Sequence, residues 1–184
     1  MCIRDSTYTG PTTTFAVTMP SADIIFASRS AADQYNGVSY LVFYTISVPG
    51  VKTIDSFVRV VVSSPDKTVK NHNPAIASVA MNNEPITTGI SIPVSITQFR
   101  VTTQPESSET YSFMHQDNGI SVHTEELITT WFVSDGELDF TRTVGNVDNE
   151  WAPPSSMPAV RGMVLIVVTR DERGGTTYRK VELN

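Results

Sequence analysis

The sequence predicts an all-β chain built as an antiparallel β-sandwich. Apolar and polar residues alternate with a period of two, the spacing that puts successive side chains on opposite faces of a strand. Runs rich in Thr, Val and Ile lie between clusters of Pro, Gly, Asn and Asp, as β-branched strands do between turns. No stretch keeps apolar residues at i, i+3, i+4 and i+7 for the about ten positions that a packed helix requires.

Phe15, Val17 and Met19 alternate before Pro20 and predict a first short strand. Val38, Tyr40, Val42, Tyr44, Ile46 and Val48 alternate without a break to Pro49 and Gly50, the clearest strand of the chain. Leu41 and Phe43 on its other face predict a strand covered on both sides at its centre. After a short turn, 54–63 returns with Val58, Val60 and Val62 to close a hairpin. The polar stretch SSPDKTVKNHNP then reads as an exposed connector, placing a domain boundary near Asn73. Beyond it, strands are predicted at 75–81, 90–96, 110–114, 127–134, 138–141, 162–169 and 176–183. Seven strands in 74–184 match one complete sandwich. Residues 7–73 offer too few to close their sheet edges, and read as the C-terminal part of a truncated sandwich domain plus linker. A strand ending in proline, FAVTMP and later EWAPP, occurs in both halves as a loose internal echo.

Composition narrows the function. The chain is 40% hydrophobic, enough for a packed core. Its 13 Lys and Arg against 19 Asp and Glu give a net charge of -6 without a long run of either sign. That balance excludes the clustered basic footprint of nucleic-acid binding. The longest apolar run, 163–168, falls far short of the roughly 20 residues of a membrane-spanning helix. The opening MCIRDS, residues 1–6, is foreign in character to the rest of the chain and resembles a translated sequencing-adapter remnant. Setting it aside removes Cys2 and leaves a body without thiol chemistry. The lack of cysteines and of N-x-S/T sequons predicts a bacterial origin, with an extracellular, periplasmic or cell-surface location.

WFVSDGEL at 131–138, followed by MVLIVVTRDERGGTTYRKVEL at 163–183, resembles the core of bacterial PKD-type and related immunoglobulin-like repeats. Trp131, Asp135, Gly136, Asp171 and Gly174 carry the resemblance. Phe132 directly after the tryptophan and Ser134 in a position where glycine is common depart from the PKD pattern, so the likeness extends to the superfamily. It implies an immunoglobulin-like sandwich acting as a spacer or adhesive module, with neighbouring repeats of the same polypeptide, a surface protein or a glycan as partners.

The candidate sites follow from side-chain chemistry. Trp131, mid-strand, belongs in the core. Trp151, before Ala152, Pro153 and Pro154, is either a core plug or a platform for stacking a sugar ring. With Tyr178 and Tyr111 as further platforms, the alternative function is a carbohydrate-binding module. Asp135, Glu137 and Asp139 form either a calcium site or a solvent-facing edge that discourages aggregation. His72, His115 and His123 read as solvated loop residues, because their spacing supplies no four-ligand zinc site. No G-x-S-x-G, H-E-x-x-H or phosphate-binding glycine loop occurs, so the expectation is a non-enzyme without a cofactor, calcium apart.

Overall fold

The computed structural model describes residues 17–47, 49–87, 89–91, 94–155 and 162–184. The expectations for 1–16, which include the foreign start and the Phe15 end of the first strand, lie outside them. Antiparallel strand dominates the regular structure, with 48% of the described residues in strand and 8% in helix, as the period-two pattern predicts. The chain divides into two compact units, one of 1–68 with 113–121, the other of 69–112 with 122–184.

The first unit holds α1 (Ala22–Ile25), α2 (Ala31–Asn36), β1 (Val38–Ile46) and β2 (Ile54–Val62). Its two helices escape a periodicity reading because four and six residues complete too few turns. Local capping makes α2: Ser30 Oγ accepts the Asp33 amide at 3.1 Å, and Gly37 ends the helix at φ 109°. A side chain at Gly37 would also strike Val61, its Cβ 2.4 Å from Cγ1. Residues 17–20 are not strand, contrary to the Val17–Met19 alternation. The hairpin forms as predicted, β1 pairing β2 from Val38 with Val62 to Ile46 with Ile54. It is not covered on both sides, however: Phe43 is 68% exposed and packs against Phe57 across the ribbon, at 5.8 Å between ring centres. The connector is less exposed than its composition suggests. Ser64 and Lys67 are buried, with the Ser64 amide bound to the Gln34 carbonyl and Lys67 Nζ reaching the Asn36 carbonyl and lying over the Tyr35 ring.

The second unit carries β3 (Ile76–Met81), β4 (Glu84–Pro85), β5 (Thr97–Thr103), most of the hairpin β6 (Thr110–Met114) and β7 (Ile120–Thr124), then β8 (Ile128–Val133), β9 (Glu137–Leu138), β10 (Arg142–Val144), β11 (Asp148–Ala152), β12 (Met163–Arg170) and β13 (Thr176–Leu183). One sheet runs β4-β3-β5-β11-β9, the other β10-β8-β12-β13. Inward residues of the two meet in one core: Val79, Phe99, Val101 and Trp151 from the first, Trp131, Leu165, Val167 and Val181 from the second. This is a β-sandwich arrangement. Trp131 is in the core as expected, its indole N–H donating to Thr143 Oγ1 at 2.9 Å. Buried Thr129 and Thr169 bond each other across β8 and β12, which removes the cost of two unpaired hydroxyls.

Two predicted strands move. Among the described residues of 90–96 there is an isolated parallel bridge between Ile90 and Leu183, and the strand is β5, whose Phe99 and Val101 face the core. Pro93, with no amide hydrogen to donate, disfavours the earlier run as a central strand. The strand expected at 138–141 resolves into β9 and β10 on different sheets. In place of seven strands, the described residues of this region form eleven.

Candidate functional site

Charged side chains of the second unit gather in a polar cap at one end of the sandwich, built on the loop between β12 and β13. Asp171 shapes that loop: its Oδ1 accepts the amides of Arg173 at 2.9 Å and Gly175 at 2.7 Å, an Asx-type turn. Arg173 is thereby aimed at the base of the β6–β7 hairpin. Its Nε donates to Glu125 Oε1 at 2.6 Å, its Nη2 to Glu109 Oε2 at 2.5 Å, and its guanidinium lies 4.5 Å from the Tyr111 ring centre. The Glu125 side chain is wholly buried, and its second oxygen accepts the Glu109 amide.

The connector closes the cap. The His72 amide and Nδ1 both meet the Glu109 carboxylate, the ring nitrogen at 2.6 Å. Asn71 Nδ2 donates to Asp171 Oδ2 at 3.0 Å, Asn73 Oδ1 accepts the Thr176 amide, and the Ala75 amide donates to Ser107 Oγ. Residues 71–75 are therefore fastened to two connections of their own sandwich, β5–β6 and β12–β13. Burial pushes the Glu109 pKa up, but the hydrogen bonds from His72 and the charge of Arg173 outweigh it and hold it below the ordinary range. Burial likewise opposes the charge of Arg173, and the two glutamates raise its pKa in spite of it. Tyr111 is pushed up, first by burial and then by the charge of Glu172. Arg173 Nη1 and Asn71 Oδ1 are buried without a hydrogen-bond partner. Those two atoms apart, the charges of the cap pair with one another and clamp the connector to the sandwich.

The residues predicted from sequence fall elsewhere. Trp151 is 0% exposed, packed at a tilt against Phe99, with its indole N–H donating to the Asp135 carbonyl at 2.9 Å. It is a core plug and has no free face for a sugar. Gly136 explains the Asp-Gly pair: φ is 76°, and a Cβ there would lie 2.3 Å from Trp151 Nε1. Tyr111 is half-buried, covered by Arg173 and stacked with His123, so it too offers no open platform. Of the three aromatic candidates only Tyr178, 73% exposed on β13, presents its ring to solvent. Asp135, Glu137 and Asp139 do not converge: among the described residues no three acidic, His or Cys side chains are grouped to hold a metal. Asp135 instead caps its own turn by accepting the Gly136 amide, and Glu137 and Asp139 stand exposed. His72 belongs to the cap, whereas His115 bonds Ser121.

Glu109, Glu125 and Arg173 were not legible as a site. The turn of Asp171 to Gly175 was visible, but 48 and 64 positions separate Arg173 from its two carboxylates, and only the closed sandwich joins them. Compared with protein-family models, curated proteins and solved structures, the chain matches none.

Proposed function

We propose that the chain is a non-catalytic structural or adhesive module of a bacterial extracellular or cell-envelope protein, with the second unit an immunoglobulin-like, PKD-type repeat. The order of its strands supports this reading. β3 and β5 lie in one sheet, β8 in the other, β11 returns to the first, and β12 and β13 complete the second, the alternation that an immunoglobulin-type sandwich uses. The observation that carries a spacer role is the polar cap. A repeat that holds its neighbours at a set distance needs its entering chain fixed to the sandwich, and residues 71–75 are so fixed. Neighbouring repeats of the same polypeptide are the first partners in this reading, and a surface protein or glycan the second.

Stretching the intact chain by its two ends tests the role. Unravelling of 74–184 in one abrupt event, releasing about 390 Å of contour length, is the expected result. Arg173→Met should lower the force of that event by freeing the connector. Gradual extension without a discrete event would overturn the spacer role.

A further inference from the structure

The outer face of the β10-β8-β12-β13 sheet is apolar at its centre and basic around it. Burial alternates along β8 and β12, with Thr129, Trp131, Leu165 and Val167 facing inward. Phe132, Ile166 and Val168 therefore point outward, and the register sets Phe132 beside Ile166 and Val168 beside Tyr178. Phe132 is 52% exposed and Tyr178 73%. Arg142, Arg170 and Lys180 share this face with one carboxylate, Glu182, which pairs with Lys180 at 2.5 Å and leaves the two arginines in excess. An excess of cations is unexpected on a chain whose net charge is -6.

The other sheet shows the complementary surface. Asn149 and Trp151 face the core, so Glu150 points outward on β11, next to exposed Glu137 and Asp139 on the neighbouring edge. Asp148 is already neutralised by a two-pronged pair with Arg100. The strip is carried by carboxylates alone, Glu137, Asp139 and Glu150.

We propose that a second copy of this chain docks its strip of Glu137, Asp139 and Glu150 onto the face of Phe132, Tyr178, Ile166, Arg142 and Arg170. An apolar centre with a charged rim has the anatomy of a protein interface, and the opposed charges choose which protein surface. Face-to-face pairing of two basic sheets would set like charges against each other, whereas basic against acidic steers and registers the contact. Because the two surfaces lie on different sheets of one sandwich, each copy keeps one of them free after docking, and association continues head to tail. Four strands about 4.8 Å apart, of three, six, eight and eight residues, give a footprint of roughly 400 Å², against roughly 800 Å² per partner in a stable complex. The contact is accordingly weak and reversible. It goes beyond the spacer reading and does not depend on it.

Sedimentation velocity of the full chain over a concentration series, at about 50 mM and about 0.5 M salt, tests the contact. Species larger than a dimer should form as concentration rises and recede at high salt. Phe132→Ser with Tyr178→Ser disables the basic face, and Glu137→Lys with Asp139→Lys the acidic one; each should weaken self-association at least about tenfold. Mixed one to one, the two variants should form a dimer that grows no further, because each retains the surface the other lacks. All four positions are exposed, and cooperative unfolding of each variant checks that it folds. Arg142→Glu and Glu150→Lys provide a second pair. A wild type that stays monomeric overturns the proposal, and so does a dimer that survives the acidic-face variant. A monomer whose basic face binds polygalacturonate would reassign that face to an anionic glycan.

Discussion

The ribbon of β1 and β2 and the pair β12 and β13 are the two longest hairpins of the molecule, yet they have opposite fates. β1 carries the cleanest alternation in the sequence, and none of its nine residues is buried. β12 alternates no better, and every second residue from Met163 to Thr169 is buried. Both hairpins hold unbroken antiparallel register. Alternation therefore specifies pairing and face, which are local properties of the pleat, whereas burial depends on a second sheet brought from elsewhere in the chain. In the second unit that sheet is supplied by β3, β5 and β11.

This difference is sharpest at Trp151. Both tryptophans lie in the second unit, so urea denaturation followed by tryptophan fluorescence reports that unit alone. Trp151→Ala removes a fully buried ring and its hydrogen bond to Asp135, and should cost roughly 3–5 kcal/mol. Arg173→Met should cost about 3 kcal/mol by the same measurement, because it strands the buried carboxylate of Glu125 without its partner. A loss below about 1 kcal/mol for Arg173→Met would show that the cap contributes no more than an exposed ion pair.

Local pattern made much of the fold legible. The last strand runs from Thr176 to Leu183 as predicted, and β8 and β12 lie within a residue or so of their expected bounds. β5 was lost because TQFRVTT places only Phe99 and Val101 among polar residues, next to a more apolar run broken by proline. The candidate site was barely legible. An exposed aromatic and a buried one look alike in sequence, so Trp151 and Tyr178 could not be told apart before the sheets closed. Arg173 stands in a turn of mixed charge that reads as solvated, and its buried state follows from Glu109 and Glu125 at the base of a hairpin that composition does not reveal.

Acid should loosen the cap before it reaches the core. Glu109 ionises below its ordinary value of 4.5 in the folded state, so its contribution to stability is fully present above that pH and is lost as pH falls through the lowered value. Stability of the wild type should therefore decline below about pH 4.5 more steeply than that of Glu109→Gln, which starts lower but has no carboxylate there to titrate. The effect is smaller than that of Arg173→Met, since one bond network weakens while the Arg173–Glu125 pair remains. Parallel curves for the two proteins would remove Glu109 from the acid response.

The smallest change is expected where the sequence pattern is strongest. Phe43 is 68% exposed, and its aromatic neighbour is Phe57 on the paired strand. Phe43→Ser should shift the unfolding transition of the whole chain, followed by far-ultraviolet circular dichroism, by no more than about 0.5 kcal/mol, within the range of ordinary surface substitutions. Amides of β1 and β2 should likewise exchange with solvent hydrogen well before those of β12, because a two-stranded ribbon without a buried face opens at little cost. If β1 amides were as protected as those of β12, the ribbon would have to be covered in solution, and the contrast between the two hairpins would then reflect an absent partner surface and not a difference in what their sequences specify.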